Sequence, residues 1–564
     1  MKFGEFKYER VEIEPLPEQL LSLEKRLADA GSADELIAAY KELNQLKSKL
    51  STMSALAYIR HTIDTRDEFY RKEQDYYDIN IPAVEEVFTR IGRNLLGSAY
   101  RKELESEIGS LAMRNIEIYE KAISPEIIGD MQLENALSTE YQALTASAQI
   151  DFNGEKSTIS QIVAYQENPD RAVREAAFRA EGGFYASHKE KLDEIYDKMV
   201  KQRTLMAKKL GFESYTEMAY CLRIRNCYGR KEVETFREQV VEYIVPMVSE
   251  IMSRRNIRCG IEQAKYWDRK LMFKDGNPVP KGTPEEIFEG GRKMYNELSS
   301  ETGEFMNFML EADMFDVLSK EGKANGGYCS GLADFKAPFV FANFNGTQGD
   351  INVLTHECGH AFEGYVGMRT MQYLDQMEYS SDVAEIHSMS MEHFTYPWME
   401  MFFKEDTAKY YYNHLADTLL FWPYGSMVDH FQHDIYDNPG LSPDERNANW
   451  KRLEALYRPD ADFADLPHYK YGGMWQRQLH IYQYPFYYID YCLAQYAAVC
   501  FWIMMNKDRQ AAWNTYLELV RKAGTKDYLT LIKEAGFASP FEKDSLRSVS
   551  QEIMKHLDSL ESKL

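Results

Sequence analysis

His356-Glu357-Cys358-Gly359-His360 is a run whose residue types and spacing can hold a metal ion and move a proton. On a helix, imidazoles four residues apart stand one turn above the other on the same face. The glutamate between them then reaches the open side of an ion they share. Such a pair suits zinc, and a zinc site of this kind activates water against an amide bond. The pattern also arises by accident, so its surroundings decide. Asp350 can cap a helix start after the Gly349 break, and Ile351, Val353 and Leu354 supply an apolar side. Gly359 weakens a helix interior by about 1 kcal/mol, which points to close packing at that position.

A catalytic zinc takes three protein ligands and keeps one position for water. Glu363 and Val366 stand where the extended motif H-E-x-x-H-x-x-G-x-x-H would carry its glycine and third histidine. The remaining source is a carboxylate from a second helix. Asp382 to His393 runs without Gly or Pro and reads as helical. Glu385 and Glu392 lie seven residues apart on one face, so one can bind metal while the other orients a ligating histidine or a substrate group. His387 and His393 are rival ligands. Glu363, a turn beyond the second histidine, reads as a helix-surface or supporting group.

The elements that must position these residues are mostly helices. At 564 residues the chain is too long for one core, and an N-terminal helical lobe over 1–185 and a catalytic lobe over 186–564 are expected. Ser32 and Glu35 make a capping-box pattern, after a helix that opens at Pro17 and ends near Gly31; Asn80 with Pro82, and Asn168-Pro169-Asp170, mark further starts. Phe152-Asn153-Gly154-Glu155 reads as a tight hairpin turn. Pro338 to Phe344 reads as one strand, at an edge because it begins with proline and alternates only loosely. The fold class is mostly α, with a small β-sheet beside the zinc helix.

A formal charge of −23 argues against nucleic acid, whose phosphates need a basic face. The apolar stretch from Tyr496 to Met505 is about half a bilayer span, so no membrane partner is expected. The N-terminus carries no apolar leader, and seven scattered cysteines without paired spacing read as reduced thiols. A cytoplasmic location follows as an expectation, and no oligomeric state is assigned.

These residues resemble the thimet-oligopeptidase-like metallopeptidases, within them the oligoendopeptidase F and Pz-peptidase branch. The resemblance covers most of 195–540 and includes Leu210-Gly211-Phe212-Glu213-Ser214-Tyr215. It implies that the third ligand is the glutamate 25 residues after His360, which is Glu385, and that one Zn²⁺ is held per chain. It also implies a zincin-like core and a deep channel between two helical lobes. Ala342-Asn343-Phe344 resembles the substrate-lining edge strand, and peptide is expected to pair with Phe339–Phe344. His480 with Tyr484, Tyr487, Tyr488 and Tyr491 looks like the family's His/Tyr cluster facing the metal, although with 39 tyrosines in the chain such a run also reads as packing. Glu363 and Cys358 depart from the residues usual at those places.

The expected activity is hydrolysis of internal bonds in short unfolded peptides. Glu357 is the general base, with His480 and Tyr491 as oxyanion donors and Tyr484 and Tyr488 behind them in contact with substrate. Gly326-Gly327-Tyr328 and Gly472-Gly473 could form flexible walls or ordinary turns. A carboxydipeptidase requiring a free C-terminus is the nearest rival. A non-catalytic, zinc-containing peptide-binding protein is the rival from another class.

Overall fold

The Ser32 hydroxyl accepts a hydrogen bond from the Glu35 N–H at 3.2 Å, and the Glu35 carboxylate accepts from Gly31 at 2.9 Å. That capping starts the helix Ala33–Ile63. The computed structural model describes residues 1–13, 18–320, 322–324, 326–344 and 346–564. A helix Glu18–Ala28 comes first, and the expected start at Pro17 lies outside the described residues. The next long helix, Glu68–Gly97, is capped by Asp67, whose carboxylate accepts from Phe69 and Tyr70. It runs on through Asn80 and Pro82, so the start expected there is corrected. Burial of Tyr77, Val84, Val87 and Ile91 carries the helix past the missing proline N–H. Asp170 does cap a helix, Arg171–Ser187, by accepting from Ala172 at 2.9 Å.

The hairpin joins β1 (Ile150–Phe152) to antiparallel β2 (Glu155–Ser157), with Asn153 at φ 52° and Gly154 at φ 85° in the left-handed turn. A second sheet combines β3 (Phe315–Leu318), β4 (Tyr328–Leu332) and β5 (Ala337–Phe344) in the order β3-β5-β4. The Pro338–Phe344 strand is thus central, not an edge. β3 pairs with it in parallel and β4 antiparallel, and seven of its eight residues are buried. A strand covered on both faces reads as a nearly continuous apolar run, which is what the loose alternation signified. The edges belong to β3 and β4, and β4 is the one whose residues line the cavity described below.

Residues between Val11 and Met113 pack into a core of their own, which Tyr373 enters from the far part of the chain. The larger core surrounds the motif helix Gln348–Thr370, the acidic helix Ser381–Phe394, the long helix Thr407–Asp437 and the tyrosine helix Tyr488–Lys507. The tyrosine helix is long and apolar enough to cross a membrane, and 72% of its apolar window is buried inside the protein. The motif helix begins earlier than expected. Thr347 is its cap, and Asp350 lies in the first turn, where its carboxylate accepts from Gly346 at 2.8 Å.

The motif and acidic helices touch at Gly359. A Cβ placed there would lie 2.6 Å from Ser388 Cα and 2.7 Å from the His387 carbonyl oxygen, both backbone atoms that cannot swing aside. A cavity of about 970 Å³ opens between this pair and the N-terminal helices, which line it with Tyr40, Lys47, Glu85 and Asn115. The halves are tied across it: Lys47 pairs with Asp375 at 3.0 Å and Asn44 accepts from Leu374 at 2.9 Å. Gly359→Ala gains about 1 kcal/mol of helix propensity but overpacks a rigid contact at a cost of about 1–3 kcal/mol. A lowered Tm in thermal unfolding is expected, and an unchanged or raised one would show the contact to be soft.

Candidate metal centre

His356 and His360 rise one turn apart from the cavity face of the motif helix, with ring centroids 5.1 Å apart and planes at 83°. Both Nε2 atoms lie 3.4 Å from Glu385 Oε2, the same carboxylate oxygen. Among the described residues these three form the one cluster of His, Cys, Asp or Glu donors able to share an ion, with donor atoms within 4.8 Å of one another. The acidic helix delivers Glu385 because Gly359 lets the two helices meet at Ser388.

Two of the three donors, His356 and Glu385, are oriented from behind. Glu392 Oε1 lies 2.7 Å from His356 Nδ1, and its Oε2 lies 2.6 Å from His414 Nε2. His414 Nδ1 is in turn 2.6 Å from the Tyr396 hydroxyl. The Ser388 hydroxyl donates to Glu385 Oε2 and the Tyr487 hydroxyl to Glu385 Oε1, each at 2.8 Å. With Nδ1 of His356 engaged, its Nε2 faces Glu385. Two imidazole nitrogens and one oriented carboxylate oxygen are a donor set that fits zinc.

Burial alone would raise the Glu385 carboxyl, but His360 and His356 outweigh it and hold it well below the usual range. Glu392, likewise buried, is brought down to about 2 by His356 and His414. Glu363 goes the other way. Burial pushes it up to about 7 against the Tyr379 hydroxyl, which donates to it, and it lines the cavity instead of standing on a helix surface. The rival ligands point elsewhere. His387 packs by its ring against Tyr379 and Tyr516, and His393 against His414 and Trp502. Burial lowers both imidazoles to about 3.

Glu357 lines the cavity beside the two histidines, as do Tyr487 and Tyr491 at the start of the tyrosine helix. Tyr487 is the member of the tyrosine run that reaches Glu385; sequence reasoning set it behind its neighbours. His480 stands 4.8 Å from Tyr488 and 6.2 Å from Tyr491, centroid to centroid. Burial, then Arg223, lowers its imidazole to about 4, so it is neutral near pH 7. The Tyr424 hydroxyl donates to Gln478 Oε1 at 2.7 Å, which turns the Gln478 amide nitrogen toward His480 Nδ1 at 3.1 Å. Nδ1 therefore accepts, and the ring proton sits on Nε2. Tyr484 is half-exposed, with the Arg223 guanidinium 5.8 Å above its ring.

At β5, Ala342 is fully buried, Phe344 stacks on Phe288, and the Asn343 amide donates to the Ala324 and Gly326 carbonyls at 2.9 Å. This end of the strand carries the turn leading into β4; Gly327 of the turn and Tyr328, Cys329 and Gly331 of β4 line the cavity. Gly472 and Gly473 are closely packed: Cβ atoms there would meet the Asn447 carbonyl oxygen at 2.1 Å and the His468 ring at 2.2 Å.

The sequence pattern of the Peptidase M3 N-terminal domain matches residues 3–123, and that of Peptidase family M3 matches residues 164–551. Oligoendopeptidase F homologues of Borreliella burgdorferi and Mycoplasma pneumoniae are 21% and 22% identical over 406 and 410 residues. Those alignments cover 69% and 65% of this chain and 67% and 64% of the homologues. A solved Pz peptidase A with an inhibitor superposes with a TM-score of 0.95 at 46% identity, covering 99% of both chains. A Bacillus anthracis protein described as an oligoendopeptidase F superposes with a TM-score of 0.90 at 42% identity, over 100% of this chain and 99% of that one. With a matched region that spans well over half its length, the chain belongs to peptidase family M3.

Proposed function

We propose that this peptidase is a zinc-dependent oligoendopeptidase that cleaves internal bonds of short, unfolded peptides. The observation that carries the reading is the meeting of His356 Nε2, His360 Nε2 and Glu385 Oε2 on a cavity wall that also presents Glu357. His356, His360 and Glu385 hold the zinc. When bound, the ion would supply a Lewis acid that lowers the pKa of a water molecule. Glu357 takes the proton of the attacking water and returns it to the leaving amine. Tyr491 and the Nε2–H of His480 donate to the oxygen on which charge develops. Burial, followed by the charge of Glu385, raises the Tyr491 hydroxyl above its ordinary range, so it stays a donor at neutral pH. The Tyr487 hydroxyl keeps Glu385 Oε1 occupied and Oε2 turned to the histidines.

The peptide adds as a strand to the free edge of β4, which replaces the β5 edge expected from the sequence. Main-chain pairing of this kind binds without demanding particular side chains, and Tyr484 and Tyr488 contact what extends beyond. The N-terminal helices over the cavity admit a thin extended chain and exclude a folded one. Seven cysteines without a disulfide among them suit a cytoplasmic enzyme.

Glu357→Gln is expected to keep its zinc content and to lose at least about 10²-fold in kcat on a quenched fluorescent peptide; unimpaired turnover would dismiss Glu357 as the base. Glu392→Gln should weaken zinc binding by about 10–100-fold in a chelator competition, because the partner of His356 Nδ1 loses its negative charge and one of its two acceptor oxygens. A C-terminally amidated peptide should be cut internally about as fast as its free acid. Loss of cleavage on amidation would identify a carboxydipeptidase instead.

A further inference from the structure

Two residues that carry side chains adopt left-handed backbone beside the metal centre: Ile224 at φ 52° and Phe486 at φ 63°. For a β-branched residue such as Ile224 this conformation is strained, and it persists only where the surroundings enforce it. The two strained turns are clasped to each other. The Arg223 Nε donates to the Pro485 carbonyl at 3.2 Å, and the Arg225 Nη2 donates to the Phe486 carbonyl. The same Arg225 Nη2 reaches Asp490 Oδ1 at 2.8 Å, and its guanidinium lies 4.2 Å over the Tyr220 ring. On the far side, Gln432 Oε1 accepts from the Phe486 N–H at 2.9 Å.

What this clasp holds is the start of the tyrosine helix. Phe486 immediately precedes Tyr487, whose hydroxyl sits on Glu385, and Asp490 immediately precedes Tyr491. Asp490 Oδ1 is also 3.5 Å from the Tyr228 hydroxyl, which donates to Asp382 Oδ2 at 2.6 Å. Asp382 lies in the first turn of the acidic helix, three residues before Glu385. The guanidinium thus grips the element that carries the two tyrosines at two points, and the Tyr228 hydroxyl, between Asp490 and Asp382, joins that element to the one that carries the carboxylate. Arg225 and Asp490 are 1% and 2% exposed. A pair so deeply buried contributes little net stability, and specifying one arrangement is its better-attested use.

We propose that Arg225 is a positioning residue for the reaction: by gripping the Phe486 carbonyl and the Asp490 carboxylate, it sets the Tyr487 and Tyr491 hydroxyls relative to Glu385. The role in turnover rests on the peptidase reading of the site; the geometric role does not. Both acceptors are served by the one nitrogen Nη2, which is aimed by a planar guanidinium laid over the Tyr220 ring; lysine keeps the charge but has no such plane to aim its single, rotatable nitrogen.

The test is a double-mutant cycle joined to a structure. Arg225→Lys is compared in the parent and in a Tyr487→Phe/Tyr491→Phe background, reading kcat, KM and zinc content. In the parent, kcat should fall by about tenfold or more with zinc retained, since a displaced catalytic group loses rate steeply. In the background without the two hydroxyls the same substitution should change kcat by less than about twofold. A crystal structure of metal-free Arg225→Lys should show the Tyr487 hydroxyl withdrawn from Glu385 Oε1. Equal losses in both backgrounds, or a hydroxyl still at 2.8 Å from Oε1, would overturn the proposal. If Arg225→Lys does not fold, Asp490→Asn, which keeps the shape and removes the charge, is read in the same way. A parent that cleaves no peptide, combined with a withdrawn hydroxyl, would sink the peptidase reading and leave the positioning role standing.

Discussion

A glycine with no room for a methyl group brings the two halves of the donor set together. The motif helix supplies two imidazoles on one face, but that helix alone is a surface with two rings and no third donor. Glu385 reaches them only because the acidic helix lies against Gly359 with backbone at 2.6 Å from where a side chain would begin. Helices separated by ordinary side chains keep their axes about 8–10 Å apart. At that separation a glutamate on one would meet its partner's side chains before it met two Nε2 atoms one turn apart. The approach at Gly359 removes one layer of side chains, and the carboxylate oxygen then stands 3.4 Å from both nitrogens.

Proximity alone would leave soft, mobile donors, and the acidic helix also stiffens what it brings. Glu392, two turns past Glu385, lies on the same face and takes His356 Nδ1. The long helix then supplies His414 to the other oxygen of Glu392, and Tyr396 to His414. Each partner satisfies a polar group that would be costly to bury alone, so the network is built from full partnerships. A carboxylate buried without such partners would take up a proton and cease to be a good ligand. Glu363 illustrates the alternative: with little more than Tyr379 to receive, burial pushes it up to about 7.

How far the sequence disclosed this arrangement follows from the range of the interactions. The motif, the helix that carries it, the tight contact at Gly359 and the pairing of Glu385 with Glu392 on one face are set by residues close together along the chain. Periodicity and spacing report such relations directly. The central place of β5 was misread because a leading proline suggests an edge, while continuous burial, the competing signal, points inward. Pro82 failed as a helix start because Asp67 had already capped that helix and tertiary burial held it through the proline. Tyr487 was passed over for a local but subtle reason: Phe486 turns through left-handed backbone between Gln483 and Tyr488, so helical spacing from His480 cannot be counted across it. His414, Tyr396 and Ser388 carry no mark in the sequence. Any helix may place a histidine or serine inward, and only the packing of distant segments decides which of them meet a carboxylate.

The N-terminal part of the chain contributes no donor to the cluster, yet it lines the cavity that the cluster faces. Its helices have an apolar core of their own, and they close over the motif helix through a few polar ties at Asp375, Leu374 and the Glu378 carbonyl, which accepts from Asn115 at 3.0 Å. A charged donor set at an open surface would face water on every side, where electrostatic interactions are weak. Beside a wall of packed helices the same groups meet less water than at an open surface, and a hydrogen bond to a developing charge is worth more where water is excluded. The enclosure also limits access to the free edge of β4, which an extended backbone can pair with and a folded surface cannot. In the proposed function, selectivity for unfolded chains and the strength of hydrogen bonds to the reacting group thus share one structural origin, the lobe that supplies no donor to the cluster.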